Sequence, residues 1–99
     1  MAVDGTKDVA DAYITLCVHA GIAAADVICC ARLGEHASGE HHGEAVALLG
    51  KVDKSLAKDL SVLLAMKTAA GYGAVGSSAT DAKRAERSAR RLVEAASAV

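Results

Sequence analysis

The sequence has no proline, phenylalanine or tryptophan, and its only aromatic residues are Tyr13 and Tyr72. Two tyrosines cannot build the aromatic platform on which β-sheet RNA readers and oligonucleotide-binding barrels stack bases. Runs of β-branched and aromatic residues between frequent turns are also missing, which excludes an all-β sandwich. Net charge is small: 11 Lys and Arg stand against 12 Asp and Glu. With 53 % hydrophobic residues, that balance excludes a disordered chain. Long uncharged apolar runs are lacking too. Residues 16–25 form the longest, and it contains His19 and Gly21 and stops at Asp26. No membrane-spanning helix and no membrane partner are therefore expected. Residues 1–8 are polar and acidic, which does not suit a signal peptide. Cysteine is sparse and odd in number, three in all, with Cys29 and Cys30 adjacent. Reduced thiols in a cytoplasmic protein are the expected reading.

What is abundant is alanine, at 23 of 99 positions. A chain of this length is one domain, residues 1–99, and buries only roughly 60–65 % of its unfolded surface. Periodicity divides it into four helices, which predicts an all-α, up-down four-helix bundle. After a flexible stretch at residues 1–6, the first helix is expected over 6–34, with Thr6 as its cap. Its polar residues Asp8, Asp11, Thr15, His19 and Asp26 keep to one narrow stripe, and nearly everything else on it is apolar. Such a helix must be covered on more than one side, which predicts a homodimer. The second helix is expected over 40–51, capped by Ser38, and buries Ala45, Val46, Leu48, Leu49 and Val52. The third runs from Asp53 to Tyr72 on a stripe of Leu56, Leu60, Leu63, Leu64 and Met66. A Gly/Ser connector over 71–79 leads to a fourth helix over 80–97, with Ala82, Ala85, Ala89, Leu92, Val93 and Ala96 inward.

Four clusters carry possible chemistry. His36, His41, His42 and Glu44 offer the nitrogen and oxygen ligands of a first-row metal. The two adjacent histidines diverge on a helix, however, and no HExxH spacing exists, so neither metal nor cofactor is expected. Arg32 and His36 are spaced i, i+4, and an arginine with a neutral imidazole is the minimum for metal-free RNA cleavage. Asp26 and His19 lie two turns apart near Cys29 and Cys30. A carboxylate hydrogen-bonded across the bundle is favoured there over a Cys–His catalytic pair. The last helix presents Arg87, Arg90 and Arg91 as phosphate contacts, or else as a solvated face. The sequence pI of about 6.4 gives the nucleic-acid reading no support.

Three strings, residues 19–34, 40–49 and 63–72, together resemble the HEPN superfamily. The first is His19-Ala-Gly-Ile-Ala-Ala-Ala-Asp26-Val-Ile-Cys-Cys-Ala-Arg32-Leu-Gly34 and the second begins Glu40-His41-His42. The third is Leu63-Leu-Ala-Met-Lys67-Thr-Ala-Ala-Gly-Tyr72. The resemblance covers roughly residues 8–97 and is strongest to small stand-alone actinobacterial members. It implies a dimeric four-helix bundle in a toxin–antitoxin or defence setting. Active members carry an Arg–His motif near the junction of the third and fourth helices. Here Lys67 and Tyr72 stand in the corresponding stretch, and Asp26 matches a supporting acidic residue. The expected function is a non-catalytic or degenerate homodimer that binds a protein or RNA, with Lys67 and Tyr72 as phosphate contacts. Two alternatives remain open: a divergent metal-independent ribonuclease using Arg32, His36 or His41 with Asp26, and a small metal- or ligand-binding bundle.

Overall fold

The computed structural model describes residues 5–36, 42–72 and 79–99, with side chains over 9–36, 43–67 and 80–99. It is an all-α four-helix bundle: α1 (Gly5–Leu33), α2 (His42–Val52), α3 (Lys54–Tyr72) and α4 (Ala79–Ser97). A 29-residue helix is about 44 Å long, and α1 accounts for most of the 51 Å longest dimension of a 51 × 25 × 17 Å body.

α1 begins at Gly5, so Thr6 is the second residue of the helix and not its cap. It ends where Gly34 takes a positive φ of 74° and its N–H donates to the Cys30 carbonyl at 3.1 Å. That pair is a left-handed C-terminal cap, which glycine adopts without a Cβ penalty. The expected cap Ser38 lies outside the described residues, and α2 starts at His42, two positions later than expected.

The joint between α2 and α3 is the single residue Asp53. Its N–H donates to the Leu49 carbonyl, closing α2, and its carboxylate Oδ1 accepts from the N–H of Ser55 at 2.8 Å and of Leu56 at 3.2 Å. These are the unpaired N–H groups at the start of α3, and an aspartate is among the residues best suited to satisfy them. Replacing Asp53 with Ala is expected to cost about 1 kcal/mol, read as a lowered denaturation midpoint with unchanged slope.

Helix directions follow from which residues meet. Gly21 of α1 faces Leu63 of α3 and Leu92 of α4. Nearer one end, Tyr13 of α1 meets Glu86 of α4. At the other end, Ile28, Leu33, Leu56, Ala95 and Val99 border one cavity. Hence α1 and α4 run in the same direction and α3 runs against both. The up-down alternation belongs to these three long helices, and the short α2 packs on α1 and α3.

The core is built from Ile14, Val18, Ile28, Leu49, Leu60, Leu63 and Leu92, all essentially sealed from solvent. The inward residues expected on α2 and α3 are buried or half-buried. Alanines 85 and 89 are buried on α4, and small side chains there let α4 lie close along α1. One expectation changes, and one is left to a second cover. Val93 is exposed, and α1 is not covered all round.

Within Val9–Leu33, an 18-residue stretch of α1 has a mean hydropathy of 1.9, and the helix is long and apolar enough to cross a membrane. The same helix supplies Ile14, Val18, Ala25 and Ile28 to the protein core.

Candidate functional site

The most distinctive surface is the outer side of α1. Val9 is 69 % exposed, Leu16 65 %, Val27 49 % and Tyr13 39 %, and Val93 of α4 beside them is 43 % exposed. Ala20, Ala23 and Cys30 complete the stripe and are exposed as well. Positions 9, 13, 16, 20, 23, 27 and 30 advance in alternating steps of four and three. This is the heptad seam with which one helix packs along another. The buried residues Ile14, Val18, Ala25 and Ile28 occupy the opposite side. α1 thus carries two apolar faces, and the bundle covers only one.

Between α1 and α4 the exposed face continues as a groove of about 360 Å³ (Tyr13, Leu16, Ala20, Glu86, Arg90 and Val93 among its walls). Glu86 organises its polar edge. It accepts the Tyr13 hydroxyl and pairs with Arg90 one turn on. Desolvation raises the Tyr13 phenol above its ordinary pKa, and the Glu86 carboxylate adds to the shift. The Cys17 thiol behind it is also pushed up, by burial first and Glu86 second.

The residues singled out from the sequence are dispersed. Arg32 is exposed in the last turn of α1, but Gly34 turns the chain before His36. The i, i+4 spacing therefore does not put the two on one helical face. Asp26 is half-buried on α1 near Cys29. Burial, and after it the Asp26 carboxylate, raises the Cys29 thiol above its ordinary value. A thiol held more strongly protonated is a weaker nucleophile. Lys67 is exposed on α3, and Tyr72 ends that helix with its side chain outside the described residues. Since Gly21 is level with Leu63, Asp26 and Lys67 are offset by about 13 Å along the bundle axis.

Glu44 is exposed in the first turn of α2. His41 and the side chain of His42 lie outside the described residues. Among the described residues, no three His, Cys, Asp or Glu side chains are placed to share a metal ion.

On α4, Arg87 is exposed and shares a shallow depression with Lys83 and Arg90. Arg90 is paired with Glu86, and Arg91 reaches Asp59 of α3 at 3.4 Å. Asp59 is one of two buried polar side chains among the described residues. Sequence reasoning missed this pair because the partners are 32 positions apart and Asp59 follows a lysine in what reads as a solvated stretch. Arg91→Ala would leave a buried carboxylate without its cation. The expected cost is about 1–2 kcal/mol, discounted for the exposure of Arg91, and denaturant titration measures it. Asp59→Asn should cost less than Arg91→Ala.

The chain matches no protein-family model, no curated protein and no solved structure.

Proposed function

We propose that this chain is a non-catalytic, HEPN-like helical-bundle module that works as a homodimer through the outer face of α1. The observation that carries the reading is the exposed heptad seam from Val9 to Cys30. Six of its seven residues, the alanines included, are hydrophobic side chains other than cysteine, and a monomer gains nothing by exposing them in helical register. The axial offset of Asp26 from Lys67 supports a binding role over a catalytic one. A toxin–antitoxin or defence setting follows from the resemblance of residues 8–97 to the HEPN superfamily.

RNA binding is the second reading, and the cluster Lys83, Arg87 and Arg90 favours it. Its cationic strength is reduced by the Glu86–Arg90 and Asp59–Arg91 pairs. Elemental analysis of protein purified without a histidine tag tests the metal-bundle alternative, and an RNA assay tests the ribonuclease. The purified protein, with and without divalent metal, is incubated with labelled single-stranded RNA. The expected result is intact RNA in both arms. Cleavage lost on Lys67→Ala, Tyr72→Phe or His36→Ala would establish an enzyme and overturn the non-catalytic reading.

A further inference from the structure

We infer that the α1 face is occupied by α1 of a second copy running in the opposite direction, with the molecular two-fold at the level of Val18. The inference deepens the homodimer reading above and rests on it. Along the seam the side chains run Val9, Tyr13, Leu16, Ala20, Ala23, Val27, all exposed. Their sizes read medium, large, large, small, small, medium. Read backwards and laid on itself, the series is complementary. Val9 lies opposite the partner's Val27, Tyr13 opposite the partner's Ala23, and Leu16 opposite the partner's Ala20. The remaining layers repeat these by symmetry. All pairs share one midpoint, residue 18, so a single two-fold axis generates them.

A parallel pairing sets each residue against itself. Tyr13 would meet the partner's Tyr13 and Leu16 the partner's Leu16, overfilling two layers, while two successive alanine layers would leave a void. Interiors pack at uniform density, and both faults are destabilising. The antiparallel pairing sets large on small in the Tyr13 and Leu16 layers and valine on valine at the two ends.

The area suffices for a stable complex. The seam is about 32 Å long, and with α4 alongside the face is about 20 Å wide, so a symmetric contact buries roughly 1,300 Å² in total. The groove between α1 and α4 extends the same apolar surface, with Val93 in its wall. In the antiparallel dimer α4 of each copy lies on the same side of the α1 pair, so Val93 and the Glu86–Arg90 pair border the contact.

Disulfide trapping tests the direction and the register. Val9→Cys and Val27→Cys are made separately, each with Cys30→Ser. The remaining thiols, Cys17 and Cys29, are buried. In the antiparallel dimer residue 9 lies beside the partner's residue 27, and the two copies of residue 9 are about 27 Å apart. After subunit exchange and mild oxidation, the mixture is expected to form a mixed disulfide dimer at least tenfold faster than either variant forms one alone. Unmodified protein should form no Cys30–Cys30 dimer.

Rapid cross-linking of either variant with itself would establish a parallel pairing and overturn the inference while leaving the homodimer intact. A dimer by light scattering that forms no mixed disulfide would overturn it too, by placing the contact elsewhere. A monomer at micromolar concentration would remove both the inference and the homodimer reading. Binding of that monomer to lipid vesicles would give the face to a membrane surface.

Discussion

Leu16→Glu is expected to convert the dimer to a monomer without harming the fold of the protomer. Leu16 is 65 % exposed in the isolated chain, and glutamate is a good helix former, so the monomer loses almost nothing. In the dimer each copy loses a buried leucine and sets a carboxylate against the partner's Ala20. Removing one leucine from burial costs about 2 kcal/mol, and the symmetry doubles the loss. Desolvating two carboxylates adds to it. Dissociation should strengthen by a factor of roughly 1,000 or more. Sedimentation equilibrium reads the change directly, and an unaltered helical circular dichroism spectrum shows that the protomer persists. Val93→Glu, at the edge of the same face, should have a smaller effect.

Gly21→Val is expected to be the most damaging single change to the protomer. Gly21 lies where α1 packs tightly on α3 and α4. A Cβ placed there would stand 2.5 Å from Leu63 Cδ1 and 3.3 Å from Leu92 Cδ1. Both leucines are fully buried, so moving either one disturbs the core around it. Valine adds two more methyl groups to the same place and must separate α1 from α3 and α4. The cost should be about 3 kcal/mol or more, a fall in Tm of roughly 12–24 °C for a domain of this size. The control is Gly50→Ala on α2. There the added Cβ meets only Ala57 Cβ, at 3.8 Å, so helix propensity decides the sign and stability should rise by about 0.5–1 kcal/mol.

These two glycines show what the sequence makes legible and what it does not. Both read alike, as isolated glycines inside helical patterns. Only the packing of α1 on Leu63 and Leu92 makes Gly21 obligatory and leaves Gly50 replaceable. The helices themselves were legible because the apolar periodicity of α2 and α3 is regular and Asp53 is a strong start signal. Helix directions were not, since short connectors permit more than one arrangement of three long rods. α1 was legible only in part. Its apolar circumference announced that a second cover was needed, but periodicity alone could not assign residues to the two faces. Ile14, Val18 and Ile28 proved to face inward, and Val9, Tyr13, Leu16 and Val27 outward.

The chemistry-bearing residues were least legible. Arg32 and His36 matched a helical spacing that the positive φ of Gly34 breaks. Arg91 looked like a free phosphate contact and is held by a buried aspartate. In each case a local pattern was overruled by a partner or a turn elsewhere in the fold.

The outer face of α1 stands here as a contact between copies. Its most direct test is the mass of the untagged protein in solution, by light scattering across the micromolar range. The expected result is a particle of twice the 10.0 kDa chain mass, falling to a single chain for Leu16→Glu. A wild-type particle of one chain mass throughout that range would contradict it.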